Sequence, residues 1–184
     1  MSPATAVAPQ IDPITVEVIG SALASIVEEM GEALVRASHS TNIKERRDCS
    51  TALFDADGEM VMQAEHIPVH LGAMPDAVAA VLAEDHAEGR SWVLNDPYRG
   101  GTHLPDITVI TPVFHDGELL GFAASRAHHA DVGGRVPGSM PSDSHTLDEE
   151  GVVIAPRPLD EAADRKSTRL NSSHIQKSRM PSSA

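Results

Sequence analysis

The 184 residues carry 14 Lys+Arg against 27 Asp+Glu, a formal charge of −13, with 41% hydrophobic and 3% aromatic residues. That length and apolar fraction suit one domain with a real core, and the acidity argues against a nucleic-acid binder, which needs a basic face. A single cysteine, Cys49, excludes a disulfide framework or a Cys-based zinc site and points to a reducing, cytoplasmic compartment; no apolar run nears the ~18 residues of a membrane span.

Residues 1–10, MSPATAVAPQ, have no Lys or Arg and no apolar stretch, so they do not read as a signal peptide and are expected to be disordered. Asp12-Pro13 then opens a helix, Asp as cap and Pro at the first helical position. Ile14, Val18, Leu23, Ile26, Met30 and Leu34 recur at near-helical spacing and predict an amphipathic helix ending near Ser38. Residues 51–64 form two apolar runs around Asp57-Gly58, a hairpin signal. A second helix is expected from Pro75 to Ala87, with Gly89 ending it. Trp92-Val93-Leu94 reads as a strand. Ile107–Phe114 and Leu119–Ala127 flank His115-Asp116-Gly117-Glu118 as a second hairpin, and the Gly- and Pro-rich stretch after Ala127 reads as loop. The expected class is α+β, an N-terminal helix packed on a mainly antiparallel sheet built from hairpins.

The last segment differs. Residues 164–184 hold Arg165, Lys166, Arg169, Lys177 and Arg179 against Asp164 alone, a charge of +4 beside −17 for the rest. They are Ser-rich, have no hydrophobic period and predict disorder. DRKSTRLNSSH followed by SRMPSSA resembles the in-frame translation of a sequencing adapter, so this tail is expected to be non-native and the domain to span 11–163.

Three polar segments lie at strand ends or in loops, where scaffolds present functional groups: 63–70, 95–106 and 126–134. The second and third each contain His-x-x-Asp, His103/Asp106 and His128/Asp131, flanked by Gly100-Gly101 and Gly133-Gly134. Imidazole with carboxylate suits Mn²⁺, Fe²⁺ or Zn²⁺. The same spacing also serves as a local hydrogen-bonded turn, so a metal site and a structural loop both stand at this point. Cys49 follows two arginines that would lower a thiol pKa, but a lone cysteine leading into a strand is more commonly a small buried hydrophobe. No phosphate-binding glycine motif and no G-x-S-x-G occurs.

Several long motifs together carry a resemblance: 12–14 with the helix after it, 42–48 (NIKERRD), 64–72 (AEHIPVHLG), 95–106 (NDPYRGGTHLPD), 126–134 (RAHHADVGG) and 137–141 (PGSMP). Over residues 11–158 the chain resembles the N-terminal part of the hydantoinase B/oxoprolinase family. The resemblance implies ATP-dependent hydrolytic ring opening of a five-membered cyclic amide, 5-oxoproline or a hydantoin. ATP would be used through a hydantoinase A-type partner subunit or domain, in a hetero-oligomer without nucleic acid or membrane. The resemblance also implies a divalent metal held by Glu65, His103, His128 and Asp131. Asp106 and His129 would orient those ligands or act as general bases, and Arg99 and Arg126 would clamp a substrate carboxylate or phosphate. Within the family the alternative is the alpha-type subunit of an ATP-dependent ketone (acetone) carboxylase. An alternative of another class is a non-catalytic partner-binding subunit, which would purify without metal.

Overall fold

Asp12 stands outside the first helix and its carboxylate accepts the Thr15 N–H at 3.2 Å, capping α1 (Pro13–Ala37) with proline in its first turn. The computed structural model describes residues 12–65, 67, 70 and 72–159, with Glu65 by its backbone alone. The expected disorder of 1–10 and of the 164–184 tail therefore lies outside the described residues. The elements after α1 are α2 (Thr41–Lys44), β1 (Cys49–Asp55), β2 (Met60–Glu65), α3 (Met74–Leu82), β3 (Trp92–Leu94), β4 (Asp106–His115), β5 (Glu118–His128), α4 (Leu147–Glu150) and β6 (Arg157–Pro158).

The strands form one open sheet in the order β2-β1-β5-β4-β3-β6, every neighbouring pair antiparallel. Both expected hairpins are present as β1–β2 and β4–β5. In the second, Asp116 and Gly117 both take positive φ, 50° and 83°, the left-handed pair that a tight two-residue hairpin turn requires. The class is α+β, as the helix-then-hairpin order predicted.

Register partners share a face of a sheet, so the ladder sorts the core into two sides. On one, Ala52, Phe54, Trp92, Leu94, Ile110, Phe122 and Ala124 meet Met74, Ala77, Val78 and Val81 of α3. Burial of each large side chain there contributes ~1.5–3 kcal/mol. On the other side Cys49 and Ala127 meet Val35 and Ile43, and Val93 meets Ile154. Thr51 ties the sheet to α1 by donating its hydroxyl to the Val27 carbonyl at 2.7 Å.

Two expectations need correction. The buried helix face is Val27, Gly31 and Val35, and of the expected Ile14/Val18/Leu23/Ile26/Met30 face only Leu23 and Met30 are half-buried. Ile14, Val18 and Ile26 are exposed at 71%, 63% and 45%. The first half of α1 is apolar almost all round, so periodicity could not say which stripe meets the sheet. The second helix ends at Leu82, not near Ala87. Its apolar period stops there, and His86 instead turns edge-on to Trp92 and Phe122.

Candidate metal centre

The β4–β5 ladder places Asp106 opposite His128 at the same end of the sheet, on the α3 side. The turn before β4 brings His103 to the same carboxylate, closed by the Asp106 N–H donating to the His103 carbonyl at 3.0 Å. His128 Nδ1 lies 3.1 Å from Asp106 Oδ1, and His103 Nδ1 lies 3.1 Å from Oδ2. Thr102 donates its hydroxyl to Oδ2 at 2.7 Å. The imidazole planes of His103 and His128 are 5.0 Å apart between centroids. One donor atom from each of His103, Asp106 and His128 falls within 4.8 Å of the others. Asp106 is 1% exposed, whereas the side chains of His128 and His103 are 15% and 39% exposed, so the cluster opens outward through its imidazoles.

Electrostatics follow from that packing. Burial alone would raise the Asp106 pKa, but hydrogen bonds from His103, His128, His70 and Thr102 outweigh it and hold the carboxyl far below its ordinary range. Asp106 is therefore a permanent anion. His128 is pushed up, chiefly by its hydrogen bond to Asp106, against burial and with help from the charges of Asp106 and Asp48. His129 is pushed down by burial and by the neighbouring His128. It points to the other side of the sheet, where it lines a cavity of about 490 Å³ with Leu34, Ser40, Ile43, Ala130 and Asp131.

The other expected site residues are placed as follows. Glu65 ends β2 with its backbone paired to Ser50, and its side chain lies outside the described residues, as does His66. Asp131 is tied into its own loop: Oδ1 accepts the Gly133 N–H and the Ser139 hydroxyl, and Oδ2 the Gly138 N–H. Arg99 is exposed. Arg126, expected as a substrate clamp, is fully buried. Its Nε donates to Thr108 at 2.7 Å and its NH2 to the carbonyls of Ala73 and Gly100 at 3.3 Å each, so it ties the sheet to α3 and to the 95–101 loop. Burial lowers its pKa, with the charges of Asp106 and Asp76 opposing.

Sequence reading treated Asp106 as an orienter of ligands, whereas its carboxylate is the center of the cluster. It also gives His70 and Asp48, both within its motifs, no role at the site. His70 Nε2 lies 3.5 Å from Asp106 Oδ2 and 3.7 Å from Asp48 Oδ1, and the Asp48 carbonyl accepts the His128 N–H at 2.9 Å. The signal available for Asp106 was its place at the head of a strand hairpinned to the one that ends in His128.

Two imidazoles and a carboxylate whose donor atoms lie within 4.8 Å of one another suit a borderline divalent ion.

The chain belongs to the hydantoinase B/oxoprolinase family, which its residues 12–184 match. It is 49% identical over 148 residues to a 5-oxoprolinase from Dictyostelium discoideum, covering 79% of this chain and 12% of that protein. It is 35% identical over 164 residues to caprolactamase subunit beta from Pseudomonas jessenii, covering 88% of this chain and 28% of that subunit. The crystal structure of the ATP-dependent caprolactamase superposes with a TM-score of 0.74 at 36% identity, over 82% of this chain and 27% of that one. Nucleotide-free acetone carboxylase superposes with a TM-score of 0.80 at 23% identity, over 86% and 22%, a likeness of fold. The chain thus spans only 12% of the length of the 5-oxoprolinase. Among the described residues no helix is long and apolar enough to cross a membrane.

Proposed function

We propose that this chain forms the metal-holding part of a larger catalytic subunit that opens a five-membered cyclic amide, such as 5-oxoproline or a hydantoin, by ATP-dependent hydrolysis. It would do so in the cytoplasm with a hydantoinase A-type partner. The observation that carries this reading is the convergence of His103, Asp106 and His128 at one end of the central strands β4 and β5.

The chemistry explains the parts. A lactam carbonyl is a poor electrophile, and a phosphoryl group transferred to its oxygen by the ATP-using partner makes the ring carbon electrophilic. Water adds to that carbon, the C–N bond breaks with a proton going to the ring nitrogen, and a second water releases phosphate from the acyl phosphate that remains. His103, Asp106 and His128 would hold Mn²⁺, Fe²⁺ or Zn²⁺, which supplies Lewis acidity toward the activated carbonyl. Glu65, at the end of β2, is proposed as a further ligand, and Asp131 keeps the loop after His128 in shape through its own hydrogen bonds. His129, a candidate base from its sequence, lines the cavity on the other side of the sheet from the cluster and is assigned no contact with the attacking water. Arg99, exposed after Tyr98, remains available to a substrate carboxylate.

The test is the full-length protein reconstituted with its A-type partner and assayed with ATP on 5-oxoproline, on a hydantoin, and on acetone with bicarbonate. Turnover of a cyclic amide that is lost on metal removal and in His128→Ala is the expected result. Turnover of acetone alone would overturn the reading in favour of ketone carboxylation. A metal-free protein that only assembles with its partner would overturn it in favour of a binding subunit.

A further inference from the structure

His70 is 1% exposed and sits among charged and polar groups rather than in the apolar core. Its Nδ1 lies 3.0 Å from the buried hydroxyl of Ser50, while Nε2 faces Asp106 Oδ2 at 3.5 Å and Asp48 Oδ1 at 3.7 Å. Ionised carboxylates only accept hydrogen bonds, so Nε2 must carry a proton. In the neutral ring Nδ1 then accepts from the Ser50 hydroxyl. Ser50, His70 and the two aspartates thereby form a directed chain from the start of β1 to the metal cluster.

The backbone supports this placement. The His70 N–H donates to the Ile67 carbonyl and the His70 carbonyl accepts the Ala73 N–H, each at 3.3 Å, which fixes the backbone of His70 just before α3. Asp106 has four side-chain partners, of which His103 and His128 belong to the donor group themselves. Thr102 and His70 are the two that do not. Thr102 contacts only Oδ2, four residues away in the same turn. His70 comes from a different part of the chain and also reaches Asp48, whose charge acts on His128.

We propose that His70 is a positioning residue, which fixes the orientation of the Asp106 carboxylate and links it to Asp48, so that the His103/Asp106/His128 group is ready to take a divalent cation. This rests on the metal reading given above. Groups that orient metal ligands from behind typically contribute 10–100-fold in affinity, and the same scale is expected here.

The experiment uses the full-length protein, stripped of metal, and three variants: His70→Leu, His70→Gln and, in the α3 core, Val78→Ala. Binding of Mn²⁺ and Zn²⁺ is measured by competition with a chromophoric chelator, and the metal-free crystal structures report the Asp106 rotamer. His70→Leu is expected to weaken binding about 10–100-fold and to turn Asp106 away from His128. His70→Gln keeps an N–H donor near the position of Nε2 and should restore both. Val78→Ala should lower the melting temperature and leave affinity unchanged. Wild-type affinity in His70→Leu, or a His70→Gln variant whose Asp106 is displaced, overturns the proposal. If His70→Leu does not fold, Ser50→Ala replaces it, with severalfold weaker binding expected and unchanged binding overturning the role. A wild-type protein that takes up neither ion overturns the metal reading instead, and the Asp106 rotamer in metal-free His70→Gln and His70→Leu then decides the positioning role alone.

Discussion

Asp106 and His128 are register partners on β4 and β5, and their side chains close on each other at 3.1 Å across the ladder. The ladder itself, rather than a loop, sets this distance. A site on paired strands is held more firmly than one on loops, because moving either residue breaks backbone hydrogen bonds on both sides.

That rigidity gives the first prediction. Asp106→Asn keeps the shape but loses the anion on which His103, His128, His70 and Thr102 converge. Removing one partner of a buried charged network typically costs ~3–5 kcal/mol. The urea midpoint of metal-free protein should fall accordingly, and uptake of divalent metal should be lost. Unchanged stability would show that the carboxylate is not held as the geometry implies.

Cys49 is fully buried beside Val35, Ile43 and Ala127. Burial pushes its thiol pKa up, with the charge of Asp48 adding to it and that of Arg47 opposing. The native thiol should therefore resist iodoacetamide at pH 8 and react only when the chain unfolds. The linkage has a sign. The unfolded thiol ionises near its ordinary ~8.5 while the folded one stays protonated, so the unfolded state holds fewer protons and stability falls as pH rises past that value. Below it both states are neutral and no dependence arises. Cys49→Ala should flatten this alkaline loss, and urea midpoints from pH 7 to 10 would show it.

Gly100 has φ of 91°, and a Cβ there would stand 2.6 Å from the Asp76 carbonyl oxygen and 2.9 Å from the Ala77 Cα. The loop can approach α3 this closely only with glycine. Gly100→Ala must push the loop off the helix and with it the carbonyl that Arg126 grips. A loss of ~2–3 kcal/mol is expected from strain plus an unsatisfied buried guanidinium. A thermal melt within a degree of wild type would contradict that contact.

The sequence showed a good deal of this and missed specific parts for physical reasons. Helix 13–37, both hairpins and the tight turn at Asp116-Gly117 were legible because capping, alternation and turn chemistry are local. The pairing of His103 with His128 came from the family's motifs, and the placing of Asp106 between them did not. Counting outward from the Asp116-Gly117 turn puts Asp106 opposite Ala127. The ladder shifts by one between Val113 and Phe114, where Leu119 and Gly121 are successive partners and Leu120 is left over. A bulge of this kind has no local signature, and a shift of one moves every partner beyond it. The contacts of His70 were equally out of reach, because they join residues of β1, of the segment before it and of the head of β4 that no local pattern pairs.

The bulge yields the last prediction. Leu120 is 57% exposed, has no partner in β4 and none in β1, whose ladder to β5 begins at Asp55 opposite Gly121. Deleting Leu120 should iron out the irregularity: Phe114 stays opposite Leu119, Val113 stays opposite Gly121, and every pair beyond, to Asp106 opposite His128, is unchanged. Deleting Ala123 instead forces the ladder to absorb the loss by removing the bulge elsewhere. Phe122 would then pass to the opposite face, out of the cluster it forms with Phe54 and Trp92. The two deletions are one residue each and three positions apart, yet their costs should differ. About 1 kcal/mol is expected for Leu120, typical of an exposed surface change with some lost twist. About 3–5 kcal/mol is expected for Ala123, since an aromatic leaves the core. Divalent metal binding in the full-length protein should survive the first deletion within a fewfold. If removal of Leu120 abolishes it, the bulge itself shapes the site, and the register alone does not place Asp106 against His128.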